Sequence, residues 1–170
     1  MTRTHRRLGL IAAFVTLLLD QIVKYVVAVP LALQSRAQAI EILPIFRLIW
    51  TENKGVSMGF FHASTDVARW ALVAMTAGIA ILVAGWMWRE KNRDDAFALG
   101  LILGGAIGNI ADRARLGYVV DYADLHFGDF RPFLIFNLAD AAITVGVLIL
   151  LARALLLREK AAKPESSSHA

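Results

Sequence analysis

The chain has 170 residues, 58% of them hydrophobic and none a cysteine, with a formal net charge of +4 and a mean hydropathy of +0.57. Such apolarity excludes an ordinary soluble domain, the length leaves room for one compact unit, and the missing cysteines exclude disulfides, thiolate nucleophiles and thiolate metal sites. Nucleic acid is not an indicated partner despite the positive balance, because the basic residues flank apolar stretches and form no continuous patch.

Crossing a hydrocarbon core about 30 Å thick takes roughly 20 mainly apolar residues as a helix. Four stretches come near that length, at about 8–28, 68–88, 96–114 and 134–157. The expected fold is therefore an all-α polytopic membrane protein with four transmembrane helices. Residues 1–160 read as a single membrane domain and 161–170 as a disordered cytoplasmic tail, since Pro164 to Ala170 are polar and low in complexity.

In the first stretch, Arg3, Arg6 and Arg7 before Leu8 to Leu19 imitate a cleavable signal peptide. Asp20 and Lys24 then interrupt the run and Tyr25 to Val29 carry it on to Pro30, which fits a spanning helix with embedded charges. Asp20 and Lys24 lie one turn apart, the spacing of an internal ion pair. The connection that follows is long and patterned. Its β-branched and aromatic residues around Asn53-Lys54-Gly55 predict a small extracytoplasmic β element, a sheet or hairpin over about 40–61, between helices 1 and 2. Ser64-Thr65-Asp66 supplies capping residues for the second helix.

The link to the third stretch is basic (Arg89, Lys91, Arg93), as are the amino terminus and the carboxy-terminal segment with Arg153, Arg158, Lys160 and Lys163. Basic segments stay cytoplasmic, so both ends are expected inside the cell, with residues 29–67 and 115–133 outside. Those outer segments carry Arg36, Arg47, Lys54, Arg115 and Arg131, so the bias is moderate. Gly100, Gly104 and Gly108 form a small-residue face suited to close helix contact. They lack the Lys and Ser/Thr of a phosphate-binding loop.

Charges at membrane depth cost several kcal/mol, so Asp20, Lys24, Asp112, Arg113 and Asp140 each need a partner or a function. At about 1.5 Å per residue, Asp20 stands roughly 18 Å and Asp112 roughly 24 Å from the cytoplasmic ends of their helices, and Asp140 roughly 9 Å below the outer boundary. All three converge on the outer half of the bilayer, as an active site would require. Asp112 and Arg113 also suit an interfacial anchor that pairs with loop charges. Two close carboxyl groups, one ionised and one protonated, can hydrolyse a peptide bond without metal, serine or cysteine. Asp140 is one such group, and Asp121, Asp124 or Asp129 supplies the other; spacing does not choose among them. Asn137 precedes Asp140 by three residues and Asn109 precedes Asp112 likewise, so either amide can orient a carboxylate or bond between helices. His5, His62, His126 and His169 show no metal-ligand spacing, and Ser57 and Ser64 lack a nucleophile-elbow context.

Five ordered segments carry a resemblance: Asp20-Gln21-Ile22-Val23-Lys24; Glu52-Asn53-Lys54-Gly55-Val56-Ser57-Met58-Gly59-Phe60; Gly104 to Arg113; Gly117-Tyr118-Val119-Val120-Asp121-Tyr122; and Phe136-Asn137-Leu138-Ala139-Asp140-Ala141. Together they resemble the lipoprotein signal peptidases (signal peptidase II). The resemblance implies an intramembrane aspartyl endopeptidase, with Asp121 and Asp140 as the catalytic pair and no metal or other cofactor. It implies that Asp20, Lys24, Asn53, Asn109, Asp112, Arg113 and Asn137 bind substrate or support the pair. The implied substrate is a diacylglyceryl-modified prolipoprotein, cut on the amino side of its lipidated cysteine in the bacterial inner membrane. Membrane lipids and the cyclic peptide inhibitor globomycin are the other expected partners. Two departures from the family's usual pattern are the loop wording after Asn53 and the second acid, Asp124. Against this stand a proton- or ion-translocating carboxylate relay, which predicts ionisable groups at graded depths, and a Mg²⁺-dependent lipid-phosphate enzyme, which predicts chelator sensitivity.

Overall fold

A computed structural model describes residues 3–55, 66–128 and 130–162, with side chains described over 5–156 of these. The elements run α1 (Arg3–Ala28), β1 (Ile40–Leu43), β2 (Phe46–Asn53), α2 (Asp66–Arg89), α3 (Arg93–Leu116), β3 (Val119–Leu125) and α4 (Leu138–Ala162). All four helices are long and apolar enough to cross a membrane.

α3 is the central helix, packed against α1, α4 and α2. Small residues make this possible. A Cβ on Gly100 or Gly104 would collide with the backbone carbonyls of Gly9 or Ala13 on α1, and one on Gly105 would lie 2.5 Å from the Ala139 carbonyl of α4. The glycine face thus packs helices, as its spacing predicts. Ala13, Ala80, Met87, Leu99 and Leu103 fill the space between the helices. The start of α3 is capped by Asn92, whose side chain accepts from Asp94 N–H and Asp95 N–H, and its end by Gly117 at φ 88°. That left-handed residue turns the chain straight from α3 into β3.

The strands form one antiparallel sheet in the order β1-β2-β3. β2 pairs with β3 through Thr51 opposite Asp121 and Asn53 opposite Val119. Val27, Leu33, Val120, Tyr122 and Ala123 make a second apolar cluster beneath it. The expected β element between the first two helices is present, but the sheet recruits a third strand from between α3 and α4. Asn53 ends β2, and the β1–β2 turn falls at Pro44 and Ile45.

The fourth helix starts at Leu138, four residues later than expected from hydrophobicity. Phe136, just before it, is claimed by β3: its N–H donates to Ala123 O, and Tyr122 and Ala123 N–H donate back to Phe136 O. At the other end α4 continues through Ala162, into the stretch expected to be tail. The expectations for Val56 to Phe60, His62, Ser64-Thr65, Asp129 and Pro164 to Ala170 fall outside the described residues.

Candidate active site

The site forms where the sheet meets the ends of α1, α3 and α4. Its organising feature is the start of α4. An α-helix leaves its first N–H groups without intrahelical partners, and here each finds one. Leu138 N–H donates to the Tyr122 hydroxyl at 3.2 Å, Ala139 N–H to Asp20 Oδ1 at 3.0 Å and Asp140 N–H to Asn137 Oδ1 at 2.9 Å. Asn137 N–H returns the bond to Asp140 Oδ2 at 3.4 Å. This is a capping box with Asn and Asp in the two roles. Asn137 is therefore the helix cap, a stronger placement than the shared helical face that its spacing suggests.

The cap controls where the Asn137 amide points. Because its oxygen is held by Asp140 N–H, its NH2 faces outward, donating to Asp121 Oδ1 at 2.6 Å and to Asn109 Oδ1 at 3.3 Å. Asn53 is set in the same manner: Gly55 N–H donates to its oxygen at 2.9 Å, leaving its NH2 to donate to Asp121 Oδ2 at 2.9 Å. Gly55 adopts φ 79°, which closes that local turn. Asn109 completes the set by donating to Asp140 Oδ1 at 2.8 Å. Three carboxamides thus present donors to two carboxylates, and Asn137 bonds to both.

Asp121 is 2% exposed, whereas Asp140 is half-buried. Burial lifts the Asp121 carboxyl from 3.8 to about 6, the nearby Asp140 charge pushes it the same way, and the bonds from Asn53 and Asn137 together with the Lys24 charge hold it down. Tyr122, on the next residue, is pushed up to about 12, chiefly by burial, and stays a neutral hydroxyl. A cleft of about 560 Å³ opens onto Asp121, walled by Thr51 to Gly55 on one side and Arg131 to Ile135 on the other.

Behind the carboxamides lies a buried ionic cluster. Lys24 Nζ sits 2.8 Å from Asp20 Oδ2 and 2.8 Å from Asp112 Oδ2. The expected Asp20–Lys24 pair is present and is one half of a triad. Asp112 also accepts from Val120 N–H at 3.3 Å, tying the end of α3 to the residue before Asp121. It is a buried strut, and its anchor role is directed at Lys24 and the β3 backbone. Gln21 donates to Asp20 Oδ2 and Asp112 Oδ1, each at 3.1 Å, and its oxygen accepts from Arg115. Sequence reasoning assigned no role to Gln21, Arg115 or Tyr122. The adjacency of Gln21 and Tyr122 to Asp20 and Asp121 was the available signal.

Of the acids left open by spacing, Asp121 joins Asp140 through Asn137. Asp124 is taken elsewhere: Arg47 Nε donates to it at 2.8 Å and Arg131 Nε lies 3.5 Å away. Arg113 lies within electrostatic range of Asp140, Asp121 and Asp112, and its buried Nε has no hydrogen-bond partner among the described residues. His126 is a loop residue at the sheet end and His5 lies against the Lys91 carbonyl. Among the described residues no group of three or more His, Asp or Glu is arranged to hold a metal ion.

Fold and site together define a polytopic membrane protein whose polar core is a pair of carboxylates held by carboxamides. The family model for Signal peptidase (SPase) II matches residues 12–156. The chain is 58% identical over 162 residues to the lipoprotein signal peptidase of Sphingopyxis alaskensis, covering 95% of this chain and 93% of the relative. It is 61% identical over 155 residues to that of Rhizorhabdus wittichii, covering 91% and 90%. A solved bacterial membrane enzyme superposes with a TM-score of 0.74 at 25% identity, covering 95% of this chain and 94% of that one. The chain belongs to the signal peptidase II family, the lipoprotein signal peptidases. It is a membrane protease that removes signal peptides from prolipoproteins.

Proposed function

We propose that Asp121 and Asp140 are the catalytic pair of this peptidase. The carrying observation is that two carboxylates from separate segments are both bonded to Asn137, and a cleft that water can enter opens onto one of them, Asp121. In this reading Asp121, lifted to about 6, holds the proton that it donates toward the scissile carbonyl. Asp140 takes a proton from the attacking water. The tetrahedral intermediate then collapses, the peptide C–N bond breaks and the leaving nitrogen is protonated by the pair. Asn53, Asn109 and Asn137 hold the carboxylates, Asp20, Lys24 and Asp112 brace the amides and β3, and Arg113 faces the substrate.

The substrate is a prolipoprotein whose cysteine already carries diacylglycerol, cut on the amino side of that cysteine. Its signal peptide is itself a membrane helix, so carboxylates near one face of the bilayer meet the cleavage point without extracting it. The basic segments at Arg6–Arg7, Arg89–Arg93 and Arg153 all lie at the end of the bundle opposite the sheet. This supports cytoplasmic termini, a site toward the outer face and β1–β3 near the outer-leaflet lipids. Globomycin is expected to block the cleft. The relay reading gains no support, because the acids cluster at one level.

A cleavage assay in proteoliposomes tests the reading with a lipidated precursor and its unlipidated form. The parent and Asp124→Asn are expected to cut only the lipidated precursor, and Asp121→Asn neither. Loss of cleavage on Asp124→Asn with retention on Asp121→Asn reverses the assignment, and equal cutting of both precursors removes the lipid requirement.

A further inference from the structure

Lys24 is 5% exposed, and a lysine ammonium has three protons to donate and no lone pair to accept with. Its three neighbours use all of them: Asp20 Oδ2 and Asp112 Oδ2 at 2.8 Å each, and Asn109 Oδ1 at 3.2 Å. The Asn109 contact has a directional consequence. A carboxamide has nearly the same shape in either flip, and its neighbours decide which end is oxygen. A donor-only group at 3.2 Å admits only the oxygen, so the Asn109 NH2 must point the other way, to Asp140 Oδ1 at 2.8 Å. Asn137 Nδ2 donates to the same Asn109 oxygen at 3.3 Å and favours the same flip. The orientations of Asn53 and Asn137 are fixed by backbone N–H groups; that of Asn109 depends on side chains, Lys24 from α1 at 3.2 Å and Asn137 from the start of α4 at 3.3 Å.

We propose that Lys24 is a positioning residue of the peptidase, which sets the flip of the Asn109 carboxamide and thereby holds the Asp140 carboxylate in place. The proposal rests on the reading of Asp121 and Asp140 as the catalytic pair. It differs from a counter-ion role, in which Lys24 only neutralises Asp20 and Asp112. Loss of a counter-ion is felt through Asp20 and Asp112 whether or not Asn109 keeps its amide, whereas loss of a positioning residue is felt only through that amide.

Asp20→Asn provides a background in which Asp112 is the one acid beside Lys24. Its side-chain oxygen still accepts from Ala139 N–H, and Asp112 retains Gln21, Val120 N–H and Arg115 at 3.5 Å. The new NH2 replaces the oxygen that accepted from Lys24 and Gln21, so Asp20→Asn itself is the reference for every further change. The experiment measures kcat, KM and melting temperature on a lipidated precursor for Asp20→Asn and Asp20→Asn/Lys24→Met, each with and without Asn109→Ala. Adding Lys24→Met is expected to lower kcat roughly a hundredfold, the cost of a small misplacement at a reacting group, with KM unchanged. It is expected to add nothing once Asn109 is alanine. If kcat equals that of Asp20→Asn, or if Lys24→Met costs as much without the Asn109 amide as with it, the positioning role is overturned. If Asn109→Ala alone leaves kcat unchanged, the dependence of Asp140 on this amide fails and the catalytic assignment of Asp140 is in question with it.

Should the Lys24 variants not fold, Asn109→Asp decides. It keeps an acceptor for Lys24 but offers no donor to Asp140, so kcat is expected to fall by a similar factor at a melting temperature near the parent's. Parental kcat in Asn109→Asp overturns the proposal.

Discussion

Asp121 accepts hydrogen bonds from two carboxamides yet is buried to 2% exposure, and burial outweighs the bonds, leaving its carboxyl at about 6. Because the folded value lies above the ordinary 3.8, protonation of Asp121 contributes stability that is complete below about pH 4 and lost as pH rises through about 6. Thermal melts from pH 4 to 7 are expected to show this fall, and the slope is expected to shrink in Asp121→Asn. With Asp121 as the proposed proton donor, turnover is expected to follow the same group and decline as pH rises through about 6. Asn137→Ala removes a bond that favours the ionised form, so the alkaline limb of the pH–rate profile should move to higher pH. Loss of the α4 cap should cost about 1 kcal/mol in addition. A limb that moves downward would contradict this account of Asn137.

The elements differ in how openly they declare themselves. α1, α2 and α3 were legible because hydrophobic runs of spanning length end at charges. Leu134 to Phe136 misled because apolar residues before a helix look like its first turn, while the Phe136 backbone bridges to Ala123 of β3. The third strand was hidden for a related reason: Val119 to Leu125 carries two aspartates, and their value lies in what the strand presents to α4, which local pattern does not report. Asp20, Asp112 and Asp140 were visible as costly charges at shared depth, but spacing did not separate Asp121 from Asp124. What distinguishes them in the structure is Arg47, 77 residues away in sequence, which bonds to Asp124. Helix contact makes its own prediction. In Gly104→Leu the new side chain must displace the α1 backbone at Ala13 and the Thr16 side chain, and overpacking of this kind costs about 1–3 kcal/mol or more. A lowered melting temperature is expected, with cleavage falling in parallel as α1 carries Asp20 and Lys24 away from α4. Undiminished stability would show that the helices do not meet as closely as described.

At the scale of the molecule, a bundle of apolar helices supports one polar cluster at one end. α1 supplies the cation, α3 an amide and a strut, β2 an amide, β3 one acid, and α4 the other acid with its cap. No element holds a complete site, so the carboxylate pair exists only when sheet and bundle are docked. The glycine face of α3 allows the docking by letting α1 and α4 approach from two sides. Catalysis by the pair is the claim on which the rest depends, and single-turnover cleavage of a lipidated precursor by Asp121→Asn and Asp140→Asn tests it most directly. Each variant is expected to bind the precursor, to melt cooperatively and to cut at least about 10³-fold more slowly than the parent. A folded variant of either kind that cuts at close to the parental rate would contradict the assignment.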